Sequence, residues 1–327
     1  MPEGQAAPAV ARASRLSLDP ARCRLCGDAL RIRYPVVHDT GTGDSFSIVT
    51  CSSCGLGHTQ PIPSDWERYY PPAYHGGRHG ATAAHCVRRR MRWVQQIAGK
   101  AEGRALLDIG CGDGTFLLRA RQQGWRVAGT ELKPEAARQS GLDVRTTLAE
   151  VAGIGAVDCV TLWHSLEHMV DPIATLRSAV ALLRPEGFVL LAVPDAGGLQ
   201  ASAFAEDWLH LDVPRHVFHF TRASLLQLVE TSGLRPLRMW HQEFEYDLLG
   251  WSQSALNRMS WTPNAWFDQL RGRPPAQGVL PQLLTAAAGI ALSAGALPLV
   301  LAGTLLGRGG TLILAAQKAG TARVTPQ

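Results

Sequence analysis

The chain has 327 residues, 46% hydrophobic and 18% charged, enough for a full core in one large domain or two smaller ones. Its 32 Lys and Arg against 27 Asp and Glu leave an excess too small to argue by itself for a nucleic-acid partner, and a solvated surface accounts for it. Residues 1–20 are rich in Ala, Pro and Arg and lack an apolar stretch, so they read as a disordered lead and not a secretory signal; their scarcity of acids also suits a transit peptide.

Residues 21–60 read as a zinc ribbon. Cys23 and Cys26 frame "CRLC", and Cys51 and Cys54 frame "CSSC". Each pair offers two thiolates from one tight knuckle, and two knuckles complete a tetrahedral site for structural zinc. Between them "RIRYPVV" and "SFSIVT" read as short strands. With all four positions taken by sulfur the metal would hold the fold and do no chemistry, and His58, just beyond, is not counted as a ligand. Residues 61–81, rich in Pro, Gly and Tyr, read as a linker whose Tyr69, Tyr70 and Tyr74 dock the ribbon on the next domain. The helix that follows, "AHCVRRRMRWVQQIAG", has a basic start whose arginines are expected to form a solvated face.

From residue 105 strands and helices alternate, which predicts an open α/β sheet, mostly parallel, with helices on both faces. The strand "ALLDIG" leads into "CGDGTF", so Gly110, Gly112 and Gly114 allow a tight turn and close backbone approach to a ligand. Asp108 stands in the strand before the turn. Glu131 ends the next strand, about twenty residues on, where an acid can accept hydrogen bonds from ribose hydroxyls. The spacing is GxGxG and not that of dinucleotide folds, and Asp108 suits an amine-bearing ligand better than a pyrophosphate.

"LLDIGCGDGTF" resembles the first motif of class I S-adenosylmethionine-dependent methyltransferases. "LWHSLEHMVDP", "LRPEGFVLLAVP" and "WLHLDVPRHVFHFT" resemble later motifs of a branch whose members often carry an amino-terminal zinc ribbon. The resemblance implies a seven-stranded Rossmann-like sheet with an antiparallel last strand beside the fifth, in a domain of residues 82–245 and 309–320. It implies that Asp108 and the loop Gly110, Cys111, Gly112 and Gly114 hold the methionine end of the cofactor, that Glu131 holds the ribose, and that Trp163 belongs to the same site.

A hydroxyl acceptor must lose its proton, and histidine is the natural base near neutral pH. "HSLEH" brings His164, Glu167 and His168 past the end of one strand, and "PRHVFH" brings His216 and His219, with Asp212 and Arg215, past the next. In one reading His216, or else His164, is the base. In the other, His164, Glu167, His168 and His216 gather a divalent metal that lowers the pKa of the acceptor. In a third, Glu167 and His168 only orient their loop.

Residues 246–308 read as an apolar insertion before the last strand. Both its ends return to one domain, which excludes a single membrane crossing. Two halves bent at Gly295 and Pro298 would each hold about 13 residues, roughly 20 Å, short of the roughly 30 Å hydrocarbon core. The expectation is a re-entrant or in-plane segment contacting one leaflet from the cytoplasmic side, with Trp251, Trp261 and Trp266 in the headgroup layer and Arg271, Arg273 and Arg308 flanking. A soluble lid or a dimer interface would bury the same residues. The sequence therefore predicts O-methylation of a small or lipid-linked acceptor of glycolipid, polyprenyl-linked sugar or quinone type. An RNA methyltransferase gripping nucleic acid with its ribbon is a weaker alternative, because the ribbon is not strongly basic. A non-catalytic membrane-associated scaffold is another.

Overall fold

The computed structural model describes residues 20–70, 82–151, 155–272 and 278–319. The expected lead before Pro20, Tyr74 with the later part of the linker, and Arg273 lie outside the described residues. In chain order the elements are β1 Leu30–His38, β2 Ser45–Cys51, β3 Gly57–Gln60, α1 Ala83–Ala98, β4 Ala105–Ile109, α2 Thr115–Gln122, β5 Arg126–Thr130, α3 Glu135–Gln139, β6 Val144–Arg145 and α4 Leu148–Val151. There follow β7 Val157–Trp163, α5 Pro172–Leu182, β8 Leu183–Pro194, α6 Leu199–Phe204, β9 Phe218–His219, α7 Arg222–Thr231, β10 Leu234–Trp240, α8 Phe244–Arg258, α9 Ala265–Leu270, α10 Val279–Leu305 and β11 Thr311–Lys318.

The main sheet has the order β10-β11-β8-β7-β4-β5-β6. Strands β8, β7, β4, β5 and β6 pair in parallel, and β11 runs antiparallel to both β8 and β10, as expected. Every residue of β4 and β7 is buried, the pattern of strands covered on both faces. Alternate side chains serve two cores. Leu107, Val160, Leu162 and Leu191 pack with residues of α5 and α7. Leu106, Cys159, Trp163 and Leu190 pack with α1 and α2. Caps fix the helix starts: Asp171 accepts from the amide of Ala174 ahead of α5, and Thr221 and Ser224 form a reciprocal capping box at α7.

Two features depart from the expectations. The ribbon sheet takes a fourth strand from the large domain, giving β1-β2-β3-β9, and Cys23, Cys51, Cys54 and Leu56 share a core with Phe218, Phe220 and Leu225. The ribbon is therefore continuous with the main core. The apolar run, in turn, is one continuous helix, α10, of 27 residues with Pro298 inside it, so the bend expected at Gly295 and Pro298 is corrected. Helix α8 and the short α9 brace it along a stripe that includes Thr285, Gly289, Ala296, Val300 and Gly303. A Cβ on Gly289 would lie 2.4 Å from the Trp266 ring, so only glycine lets that indole seat. Trp261 Nε1 donates to Thr285 Oγ1 at 2.9 Å, and Trp251 meets the edge of Phe204. These tryptophans fasten the insertion instead of standing free as a headgroup belt.

Candidate active site

A single cavity of about 400 Å³ runs along the carboxyl ends of β4, β5 and β7. At its cofactor end the turn after β4 holds Gly110 and Gly114 at φ 74° and 80°. A Cβ at Gly110 would fall 2.5 Å from that of Ser165, and one at Gly114 2.3 Å from Leu142 Cδ1, so both positions need glycine for conformation and for space. The Gly112 amide donates to Glu131 Oε2 at 2.8 Å, which ties the turn to the end of β5. Cys111 is buried beneath it, its Sγ close to Gly129.

Asp108 is buried and accepts from Thr161 Oγ1 at 2.7 Å. Burial pushes its carboxyl up to about 7, against the opposing pull of the Thr161 hydroxyl and the Arg90 guanidinium. Trp163 forms the apolar wall, stacked on Trp93 at 6.2 Å and met edge-on by Phe116 at 5.5 Å, with Arg90 5.1 Å over its ring. The donor set fits S-adenosylmethionine: a backbone cradle, a buried acid, an acid at the next strand end and an aromatic wall.

The histidines expected to work together divide into two groups. His164 follows β7 with φ 50°. Its Nε2 meets Glu243 Oε2 at 2.6 Å and its Nδ1 lies 3.6 Å from Glu167 Oε1. Burial alone would lower its pKa, but the two carboxylates outweigh burial and raise it. His164 is thus held between two carboxylates, with Glu243 engaging its Nε2, and is stacked on Tyr246 at 4.4 Å. His216 instead donates from Nδ1 to the His210 carbonyl at 2.8 Å, so Nε2 is the ring nitrogen turned toward the acids. That Nε2 lies 3.9 Å from both Glu167 Oε1 and Asp212 Oδ2. His168 Nδ1 donates to the Arg215 carbonyl at 2.9 Å. Glu167 is 1% exposed and neither carboxylate oxygen has a hydrogen-bond partner. Burial would raise its pKa, yet His164, His168 and His216 around it hold it down at about 2. Glu167, His168 and His216 offer ligand atoms within 4.8 Å of one another. His219 points away from this group toward the ribbon, bonded to Thr59 Oγ1 at 2.9 Å.

Several residues here had no signal in the sequence. Glu243, fully buried at the start of the insertion, takes Arg90 Nε at 2.9 Å and an Arg89 nitrogen at 2.9 Å as well as His164. Arg89 and Arg90 therefore do not lie on the solvated face expected of α1; Arg88 and Arg92 do. The far end of the cavity is mainly apolar, lined by Leu209, Tyr246, Leu249, Phe267 and Leu270, with Glu245, Asn264 and Arg271 also in the lining. Only the tertiary fold brings α8 and α9 there.

The four ribbon cysteines also converge. Cys23 and Cys54 sulfurs are 3.5 Å apart, Cys26 and Cys51 sulfurs 3.4 Å, and all four lie within 4.8 Å. A tetrahedron of sulfurs each about 2.3 Å from zinc has edges of about 3.8 Å, so the cluster is compatible with structural zinc. His58 is outside it, packed edge-on against Phe218 and kept neutral by burial, with its pKa lowered to about 4.

A protein family described as "Methyltransferase domain" matches residues 82–238. The chain is 32% identical over 174 residues to the ubiquinone biosynthesis O-methyltransferase of Bordetella avium, covering 47% of this chain and 72% of that protein. It is 30% identical over 171 residues to the enzyme of the same name from Cupriavidus pinatubonensis, covering 44% and 68%. With the Bordetella bronchiseptica protein of that name the match is 33% identical and covers 32% of this chain and 48% of the relative. A solved structure, a SAM-dependent methyltransferase from Archaeoglobus fulgidus, aligns over 72% of this chain and 94% of its own at a TM-score of 0.45 and 15% identity. With its sheet order, its glycine turn and these relatives, the chain belongs to the S-adenosylmethionine-dependent methyltransferases.

Proposed function

We propose that the protein methylates a hydroxyl on a quinone-type, amphipathic ring. The observation that carries this reading is the cluster of Glu167, His168 and His216, set in one cavity between the glycine turn and an apolar wall. Bound S-adenosylmethionine supplies an electrophilic methyl group on its sulfonium. Asp108 and the loop of Gly110, Cys111, Gly112 and Gly114 hold its methionine end. Glu131 holds the ribose and Trp163 the apolar flank. His216 takes the acceptor's proton on Nε2, and Glu167 and Asp212 stabilise the imidazolium that forms. His164, held between Glu243 and Glu167, sets the position of Glu167 and leaves the base role to His216. Structural zinc at Cys23, Cys26, Cys51 and Cys54 holds the ribbon.

The oxygens of Glu167, which accept no hydrogen bond among the described residues, favour one further reading. Glu167, His168 and His216 would hold a divalent cation, which lowers the pKa of a hydroxyl near it. His164 does not join that set, because Glu243 engages its Nε2.

The acceptor class is supported by the relatives' names and by α10. Leu280, Leu283, Ile290, Leu301 and Leu305 of α10 are each more than half exposed. Each such side chain left in water forgoes roughly 1.5–3 kcal/mol of burial, a cost a lipid surface would remove. The helix is about 40 Å long at 1.5 Å per residue, and both its ends return to the same domain. We place it in the plane of one leaflet, on the cytoplasmic side, with the apolar end of the cavity beside it to receive a lipid-linked ring. The test is incubation of the purified protein with S-adenosylmethionine and a prenylated catechol. Mass spectrometry should find a product heavier by one CH₂ group. Tight cofactor binding with no transfer to any ring hydroxyl would overturn the acceptor assignment.

A further inference from the structure

The ribbon reaches the catalytic loop through Thr59, whose side chain and amide both bond it. Thr59, on β3, is 2% exposed. Its Oγ1 donates to the His216 carbonyl at 2.6 Å, and its amide donates to the Val217 carbonyl at 2.9 Å. The Val217 amide in turn donates to the Glu167 carbonyl at 2.9 Å. A hydroxyl has one proton, and here it goes to His216, so the contact with His219 at 2.9 Å needs the hydrogen on His219 Nε2. Burial keeps His219 neutral, lowering its pKa to about 3, which agrees with that single hydrogen. Gly57 permits the approach: a Cβ there would lie 2.9 Å from that of His219. A second tie runs beside the first, where Arg215 bridges Asp39 of the ribbon at 2.8 Å and Asp212 of the loop at 2.6 Å.

We propose that Thr59 is a positioning residue, and that through it the zinc ribbon sets the placement of His216 and Glu167 in the cavity. This rests on the reading of that pair as the proton-accepting group. It makes the ribbon a working part of the transferase site and not a separate binding module. A hydroxyl at this position serves both His216 and His219, whereas an isosteric methyl leaves a buried carbonyl and a buried N–H without partners. A small displacement of a reacting group is enough to slow the reaction by an order of magnitude or more.

The experiment compares Thr59→Val and Thr59→Ser in the full chain. Thr59→Val should lower kcat about 10-fold while cofactor affinity by calorimetry and zinc content stay at the wild-type level, and Thr59→Ser should restore turnover. Hydrogen exchange should show the Val217 amide less protected in Thr59→Val, with the strands of the main sheet unchanged. This arm reads the proposal even if the wild type turns over no quinone-type ring, an outcome that counts against the acceptor alone. If Thr59→Val does not fold, Asp39→Asn, which weakens the Arg215 tie, should loosen the same amide. Wild-type kcat together with wild-type protection of Val217 would overturn the proposal. So would equal losses in Thr59→Val and Thr59→Ser accompanied by loss of cofactor affinity, because those describe general damage.

Discussion

The ribbon and the α8–α10 insertion both lie outside the matched methyltransferase segment and are attached in different ways: the insertion lines the cavity directly, whereas the ribbon bonds the loop that carries His216. The ribbon is tied in by strand pairing, by Thr59 and by a shared core that takes in three of its cysteines. The insertion is clamped at its start, where Glu243 gathers Arg89, Arg90 and His164, and then presents α10 with most of its apolar stretch unburied. An addition bonded through backbone and buried polar groups can hold a reacting side chain still. An addition that leaves large apolar side chains in water has surface to offer to something else.

The clamp is where the insertion half of this comparison is easiest to break. Glu243→Ala leaves Arg90 buried without the carboxylate it pairs with, and His164 with Glu167 alone, and should cost about 3–5 kcal/mol of stability, read by urea denaturation. A loss below about 1 kcal/mol would mean that the insertion is anchored elsewhere. On the ribbon side, His216→Ala should lower kcat about 100-fold or more with cofactor affinity by calorimetry unchanged. Full turnover would move the base to another group.

A pH series separates the cofactor end from both additions. Asp108, raised to about 7 by burial, should gain a proton as pH falls through that value, and its anion is the form that would pair with the cofactor's ammonium group. Arg90 and Thr161 favour that anion, and Glu131 opposes it. Affinity should therefore be full above pH 7 and fall as pH drops through it, by about tenfold per unit. An affinity flat from pH 5 to 8 would remove Asp108 from that role. The smallest effect on the protein itself should come from α10. Replacing Leu283, Leu301 and Leu305 with Ser should change stability by less than about 0.5 kcal/mol per site, while sedimentation with anionic lipid vesicles is lost. A large drop in stability, or dissociation of a dimer in its place, would assign that face to protein.

The sheet was legible in the sequence because its central strands are short, mostly apolar runs and its helices carry caps, as at Asp171 and Thr221. The glycine turn and the four cysteines were legible because each is a local constellation whose spacing states its geometry. The division among the histidines was not. "HSLEH" gives His164 and His168 equal standing, and only Glu243, brought from the far side of β10, engages one of them. The arginines of α1 looked like a solvated face for the same reason: the acids that bury Arg89 and Arg90 are more than 150 residues away.

The sequence by itself determined the cofactor fold, the thiol cluster and the presence of one long apolar segment, since each depends on residues close together in the chain. The tertiary structure alone decided that Glu243 engages His164 while His168 and His216 gather at Glu167, that Thr59 of the ribbon bonds the loop carrying His216, and that α10 is a single helix with one face unburied. Those outcomes are set by long-range contacts and by burial, because desolvation and the charges packed around a group fix its protonation, and neither is written in the local pattern of residues.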